Sequence, residues 1–194
     1  AAFLMGNIGI AQLAAHTVAL QIAALAFQIP YGVGQAATIR VGYFYGAGDK
    51  DGIKRAGWSG ILIGTGFMAI SCAAMVLLPR TLLHIYIDPD APENAVLVSF
   101  ALTYLVIAAA FQLVDGLQAV AAGALRGLQD TRMPMWIAIF SYWVPGFGLA
   151  LYLGFVTPLA GVGVWIGLAV GLGCAAALLT WRWARREQLK LTQK

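Results

Sequence analysis

The chain has 194 residues, of which 61% are hydrophobic and 10% are charged, and its formal net charge is +4. An ordinary soluble domain is about 45–50% apolar and about 25% charged. A soluble fold could not hide so much apolar surface behind so few charges, so this composition excludes an ordinary soluble globular domain.

Long uncharged stretches indicate helices that cross a membrane. No Asp, Glu, Lys or Arg occurs in residues 1–39, 56–79 or 133–181. A helix needs roughly 20 apolar residues to cross a hydrocarbon core about 30 Å thick. We therefore predict an all-α integral membrane fold, a polytopic bundle of about five complete transmembrane helices. Their predicted bounds are 11–46, 51–83, 93–123, 131–155 and 161–186.

Residues 1–6 precede the first of these helices and are predicted to be the last turns of a truncated helix. The segment is apolar, and the sequence starts with alanine rather than methionine. It has no basic region and no cleavage signal, so it does not have the pattern of a signal peptide.

The first complete helix carries a polar stripe. Gln21, Gln28 and Gln35 recur at intervals of seven residues, a spacing that drifts only about 20° per heptad. The stripe fits a hydrophilic cavity lining, and it equally fits hydrogen bonds between helices. Pro30 interrupts the same helix and predicts a kink or an unwound turn. His16, near the start of the helix, is interpreted as a packing residue.

The second helix contains one motif that is found in an enzyme class. Residues 57–60 read Gly-Trp-Ser-Gly, the form that surrounds the serine nucleophile of rhomboid-type intramembrane proteases. That chemistry needs a histidine base on a later membrane helix. The only later histidine, His84, lies outside the predicted spans, so Ser59 does not predict a protease.

Asp115 is the residue in the third helix that points most clearly to function. It is the only charged side chain between Glu93 and Arg126. A carboxylate near the bilayer centre costs roughly 2.5–3.5 kcal/mol on insertion scales, so such residues usually face a bundle interior or a wet cavity. Desolvation favours the protonated acid and a bound cation favours the carboxylate. Asp115 is therefore a candidate for exchanging a proton for a cation, and the alternative is a protonated packing residue.

The neighbours of Asp115 suggest a polar face with an aromatic wall. Gln112 and Gln118 lie three residues away on either side, and Phe111 lies one turn earlier. Residues at this spacing are neighbours on a helix surface. We therefore predict that Phe111, Gln112 and Gln118 line a cavity together with Asp115.

The fourth helix contains a second predicted break, at Pro145. Tyr142 and Trp143 precede it and are candidates for stacking on an aromatic cation or for packing in the interfacial aromatic belt. Cys72 and Cys174 lie inside predicted spans without metal-site spacing. No cofactor or metal site is expected, other than a coupling ion at Asp115.

The distribution of Lys and Arg predicts the topology. Eleven of the twelve lie beside the first and third connections or after the last span, and only Arg80 lies beside the second connection. The positive-inside rule makes the more basic side cytoplasmic, with the carboxyl terminus on that side. This asymmetry explains the net charge without a nucleic-acid surface. We expect a multi-pass protein of a bacterial inner membrane.

Several blocks of the sequence carry a family pattern. They are AAHTVALQ at 14–21, IP at 29–30, AATIRVG at 36–42, FQLVDGLQAV at 111–120, GALRG at 123–127, DTR at 130–132, YW at 142–143 and GVGVWIG at 161–167. In these blocks the chain resembles NorM-type transporters of the multidrug and toxic-compound extrusion (MATE) family. The blocks are similar to the family's eighth, tenth and last two helices and cover nearly the whole chain.

The resemblance implies a twelve-helix fold of two six-helix lobes, of which residues 1–194 would form part of the carboxyl-terminal lobe. It implies export of cationic amphipathic compounds in exchange for Na⁺ or H⁺, with Asp115 as the coupling carboxylate and the absent amino-terminal lobe as partner. The family commonly has Tyr at the position of Phe111. The alternatives are a lipid-linked oligosaccharide flippase of the same superfamily and a non-transporting membrane scaffold.

Overall fold

A computed structural model describes residues 9–192. All regular secondary structure in this part of the chain is helical. The α-helices are α1 (Ile10–Ala47), α2 (Lys50–Leu77), α3 (Pro79–Leu83), α4 (Ala95–Gly127), α5 (Arg132–Ser141), α6 (Gly148–Phe155) and α7 (Ala160–Ala184). A 3₁₀ turn at Pro92–Asn94 precedes α4, and a π-helical turn at Tyr142–Phe147 joins α5 to α6. The predicted helix end at residues 1–6 lies outside the described residues.

Five helical segments are long and apolar enough to cross a membrane. They are α1, α2, the segment Pro92–Gly127, the segment Arg132–Phe155 and α7. The prediction of an all-α integral membrane bundle with five complete spans is therefore confirmed.

Helix α4 is the centre of the bundle, because it packs against α1, α2 and α7. The segment from α5 to α6 packs mainly along α7. Two buried apolar clusters lie along α4. One contains Tyr104 and Phe111 together with Trp165 of α7, and the other contains Val120 together with Trp183 of α7. Asp115 lies on α4 between these two clusters.

Glycine lets α1 and α4 approach closely. A methyl group added at Gly123 would lie 3.0 Å from the Cα of Gly34, which is too close for ordinary contact. The hydroxyl of Thr38 donates to the carbonyl oxygens of Gly34 at 3.0 Å and of Gly123 at 2.8 Å. Small residues and hydrogen bonds of this kind are the usual means of helix association in membranes.

The structure differs from the predicted bounds at two helix ends. The predicted helix 51–83 is divided at Leu78 into α2 and α3, because Pro79 has no backbone N–H and disfavours helical geometry in the residue before it. The predicted helix 93–123 continues to Gly127. Gly123 is an interior packing glycine rather than a helix terminator, and the chain turns at Gln129, whose φ is 62°.

The two membrane prolines have different surroundings. Helix α1 stays helical through the buried Pro30, so no unwound turn occurs there, and a bend at this residue stays a prediction. Pro145 lies inside the π-helical turn. Because proline has no N–H to donate to the carbonyl four residues earlier, the wider turn accommodates it without ending the span.

Candidate functional site

Asp115 lies deep within the bundle. It is 12 residues from Gly127, the last residue of α4, which corresponds to about 18 Å of helix at roughly 1.5 Å per residue. Asp115 therefore lies well inside the membrane-spanning segment Pro92–Gly127 and away from both of its ends. The side chain is half-buried, because it faces a cavity instead of packed neighbours.

The cavity beside Asp115 has a volume of about 300 Å³ and is bounded by four helical segments. Phe111 and Asp115 come from α4, and Tyr142 comes from the π-helical turn. The remaining lining residues are apolar or glycine, namely Leu20, Gly146, Trp165, Leu168, Gly171 and Leu172. The site is therefore an aromatic and aliphatic pocket with one carboxyl group.

The Asp115 carboxyl group has no protein partner among residues 9–192. None of the hydrogen bonds and ion pairs in this part of the chain involves it. A buried carboxylate is costly unless it is neutralised or paired. The arrangement thus leaves both carboxyl oxygens available to hold a proton, an inorganic cation or the charged group of a ligand.

The two glutamines that flank Asp115 point in different directions. The Nε2 of Gln118 donates to the hydroxyl oxygen of Tyr142. Because Tyr142 lines the cavity, the Gln118–Tyr142 pair borders it. Gln112 is 1% exposed, and its Nε2 lies 3.5 Å from the Sδ of Met75 on α2. Gln112 is therefore directed toward α2, and its cavity-lining role stays a prediction that this contact does not support.

Trp165 is a cavity residue that sequence reasoning did not select. Its ring is fully buried and stacks on Phe111 at a centroid distance of 5.4 Å. It also forms a T-shaped pair with His16 at a centroid distance of 5.3 Å and stacks on Tyr104 at 5.8 Å. The signal was present in the segment Gly161–Gly167, whose glycines leave room for a close approach, since a methyl group at Gly167 would clash with Ala150 of α6.

His16 is almost completely buried, and the described residues offer no hydrogen-bond partner to either of its ring nitrogens. The indole nitrogen of Trp165 is also buried without a partner in this part of the chain. Unpaired buried polar atoms are uncommon in native proteins. These two rings extend the aromatic side of the Asp115 cavity to the start of α1.

The remaining predicted lining residues lie outside this cavity. Gln21 and Gln28 are exposed and Gln35 is half-buried along one side of α1. Trp143 is 66% exposed and its ring packs edge-on against Phe147. If these residues line a cavity, as predicted, that cavity is not enclosed by residues 9–192 alone.

Glycine also brings the π-helical turn against α7. A methyl group at Gly171 would lie 2.8 Å from the Cα of Gly146. Both glycines line the Asp115 cavity, as does Tyr142 of the π-helical turn. Turns of π-helix are frequent at functional sites because they redirect side chains from the regular helical pattern.

The described residues contain no group of three or more His, Cys, Asp or Glu side chains that could hold a metal ion. Cys72 and Cys174 are both half-buried free thiols. The site chemistry in residues 9–192 therefore rests on one carboxyl group with aromatic and amide neighbours.

Fold and cavity together define a class of protein, a polytopic helical membrane protein with an acidic side chain held between its spans. The MatE family model matches residues 1–151. A probable multidrug resistance protein NorM from Brucella suis biovar 1 (strain 1330) is 51% identical over 185 residues, which cover 95% of this chain and 39% of the relative. A probable NorM from Mesorhizobium japonicum is 49% identical over 189 residues, covering 97% and 40%.

The solved structure of the eukaryotic MATE transporter AtDTX14 matches with a TM-score of 0.85 at 22% identity. The match covers 98% of this chain and 43% of that one. At this identity the likeness concerns the fold, and it agrees with the five-span architecture.

The chain belongs to the MATE family. It spans about two-fifths of the length of the curated relatives it matches, 39% and 40% in the two relatives above. The relatives are named as multidrug resistance proteins, which agrees with the prediction of a transporter rather than an enzyme.

Proposed function

We propose that this chain forms part of the carboxyl-terminal lobe of a two-lobed secondary active exporter. The exporter would exchange cationic amphipathic compounds for Na⁺ or H⁺. The observation that supports the proposal is the carboxyl group of Asp115, which has no hydrogen-bond or ion-pair partner within residues 9–192 and lies in a cavity well inside a membrane-spanning segment. An ionisable residue at such a depth marks an ion or substrate pathway by default.

The coupling step depends on which species binds the Asp115 carboxylate. A proton or Na⁺ entering from outside neutralises the carboxylate and competes with the cationic substrate. Tyr142, which is 40% exposed and lines the cavity, supplies an aromatic face, and such faces attract cations and apolar rings. A change between outward-facing and inward-facing states then needs only a difference in affinity for the two occupants.

The second wall of the substrate cavity is assigned to the other lobe. Gln21 and Gln28 are exposed along α1, which supports a polar surface facing that lobe. The names of the relatives as multidrug resistance proteins support the substrate class. Since the chain spans about two-fifths of their length, we expect no transport by the isolated chain.

The proposed location is a bacterial inner membrane with the carboxyl terminus in the cytoplasm. The support is the asymmetry of Lys and Arg, eleven of twelve of which belong to one side. Fusion of a reporter that is active only in the cytoplasm to the carboxyl terminus tests this orientation. We expect an active reporter, and activity of a periplasm-dependent reporter at the same position would reverse the assignment.

The two alternatives make different predictions about the same cavity. A flippase for a pyrophosphate-linked lipid would need basic side chains in the cavity, whereas its lining residues in the described chain include no Lys, Arg or His. A membrane scaffold would not depend on Asp115. The carboxylate without basic neighbours favours the antiporter.

The test is drug efflux by the full-length transporter with Asp115→Asn, in membrane vesicles with separately imposed Na⁺ and pH gradients. We expect wild-type efflux to follow one gradient, which identifies the coupling ion, and the variant to lose that dependence. Glu93→Gln is the matched control, since it removes one carboxylate from the exposed 3₁₀ turn. Unchanged gradient-driven efflux at equal protein level would make Asp115 a packing residue.

A further inference from the structure

A second cavity lies between α1 and α2 at the end of the bundle that carries most basic residues, which we call the basic crevice. Its volume is about 530 Å³, and it is lined by Arg40 of α1 with Arg55 and Ser59 of α2. The other lining residues are apolar or glycine, namely Val33, Ala36, Ala37, Phe44, Ala56, Gly60 and Ile63. It shares no lining residue with the Asp115 cavity.

No ion pair within residues 9–192 neutralises the arginines of the basic crevice, and the carboxylate of Asp51 belongs to an adjoining cavity that also contains Lys54 and Arg55. Neither Arg40 nor Arg55 forms an ion pair in this part of the chain. The guanidinium of Arg40 lies 5.7 Å from the ring centroid of Phe44, a contact that leaves its charge unpaired. The Asp49 carboxylate is occupied in capping α2, where it accepts a hydrogen bond of 2.8 Å from the Gly52 amide. Two guanidinium groups thus face one space without a lining carboxylate.

We propose that the basic crevice binds the phosphate headgroup of an anionic phospholipid. Arginine presents a planar fork of donors that matches phosphate oxygens in a bidentate manner. Basic pockets between membrane helices are suited to anionic lipid headgroups. A second hydrogen-bond partner for the phosphate is available in the Ser59 hydroxyl group.

The apolar wall selects a lipid over a free anion. Val33 lies seven residues deeper in the membrane than Arg40, and Ile63 lies eight residues deeper than Arg55. At roughly 1.5 Å per residue, this wall extends about 10 Å below the guanidinium groups, along the path of an acyl chain. Trp58, on the adjoining surface, is 39% exposed, as expected for an aromatic side chain at the headgroup level.

The experiment measures lipid binding to the full-length transporter purified in mild detergent. Native mass spectrometry compares phosphatidylglycerol with zwitterionic phosphatidylcholine of the same chain length. The test variant is Arg40→Gln with Arg55→Gln. The matched control is Lys50→Gln with Arg132→Gln, which removes the same charge from the same end but from residues that do not line the crevice.

We expect the wild-type protein to prefer phosphatidylglycerol and the test variant to lose roughly thirtyfold in affinity for it, from two basic contacts. The control variant should lose about threefold or less, because its charges act only through the screened surface potential. Arg40→Lys with Arg55→Lys keeps charge but loses the bidentate fork, so its affinity should be intermediate. If the double glutamine variant is unstable, the double lysine variant is compared with the control variant for phosphatidylglycerol affinity instead.

Three outcomes would overturn the proposal. Equal affinity for both lipids would mean that the headgroup charge does not determine binding. Equal losses of affinity in the test and control variants would mean that the lipid does not bind in the basic crevice. Displacement of bound phosphatidylglycerol by millimolar inorganic phosphate would assign the crevice to a small anion instead. Binding is measured without a gradient or a drug, so its result is independent of whether Asp115 couples transport.

Discussion

A buried ion pair joins two helices at the basic end of the bundle. The Nε of Arg182, in the last turn of α7, lies 2.5 Å from an oxygen of Asp130, which follows α4. Their side chains are 13% and 9% exposed. The chain also contains an exposed pair, Arg80 with Asp90 at 3.2 Å, whose side chains are 64% and 68% exposed. The two pairs allow a comparison of the same chemistry at different burial.

Removing the carboxylate should lower the unfolding free energy by different amounts at Asp130 and at Asp90. Asp130→Ala leaves the Arg182 guanidinium buried without a counter-charge, which costs roughly 3–5 kcal/mol in other proteins. Asp90→Ala breaks a solvent-exposed pair, which costs about 0–1 kcal/mol. We therefore expect the first variant to lose several times more unfolding free energy than the second.

The assay is reversible unfolding of the full-length transporter in mixed detergent micelles, with increasing denaturing detergent. A double-mutant cycle adds Arg182→Gln alone and together with Asp130→Ala. Because the double variant no longer buries an unpaired charge, its loss should be smaller than the sum of the single losses. Equal losses for Asp130→Ala and Asp90→Ala, or strict additivity in the cycle, would mean that burial does not strengthen the Arg182–Asp130 pair.

Two further predictions compare a packed residue with a matched open one. Gly123→Ala should lower the unfolding free energy by about 1–3 kcal/mol, because the new methyl group meets Gly34, whereas Gly173→Ala meets no atom within 4 Å and should be neutral or slightly stabilising. Trp165→Ala should cost roughly 3–5 kcal/mol, since its ring is fully buried, and Trp143→Ala, at a ring 66% exposed, should cost far less. Unfolding titrations measure all four, and equal effects within either pair would contradict the packing described.

The number and order of the spans were predictable from sequence because charge is excluded from hydrocarbon over whole segments. Helix ends were less predictable. Glycine often ends a helix, so the sequence predicts a helix end at Gly123. It lies inside α4 instead, because Gly34 of α1 packs against it. Only the tertiary contact distinguishes a packing glycine from a terminating one.

The position of Asp115 in a cavity agrees with the expectation from its isolation in the sequence, but the directions of its neighbours do not follow from spacing alone. Three residues correspond to about 300° of helical rotation, so Gln112 and Gln118 lie roughly 60° to either side of Asp115. That divergence directs Gln112 to Met75 and Gln118 to Tyr142. Trp165 comes from another helix, and no local pattern links it to Asp115.

In the proposed mechanism, Asp115 couples the movement of a cation to the movement of the drug. The most direct measurement is the opposing flux of both species in proteoliposomes containing the full-length transporter. An outward-directed drug gradient is imposed, and uptake of Na⁺ or H⁺ is followed with an ion-sensitive dye. We expect drug-driven ion uptake in the wild-type protein and none with Asp115→Asn. Undiminished drug-driven ion uptake in the variant would contradict it.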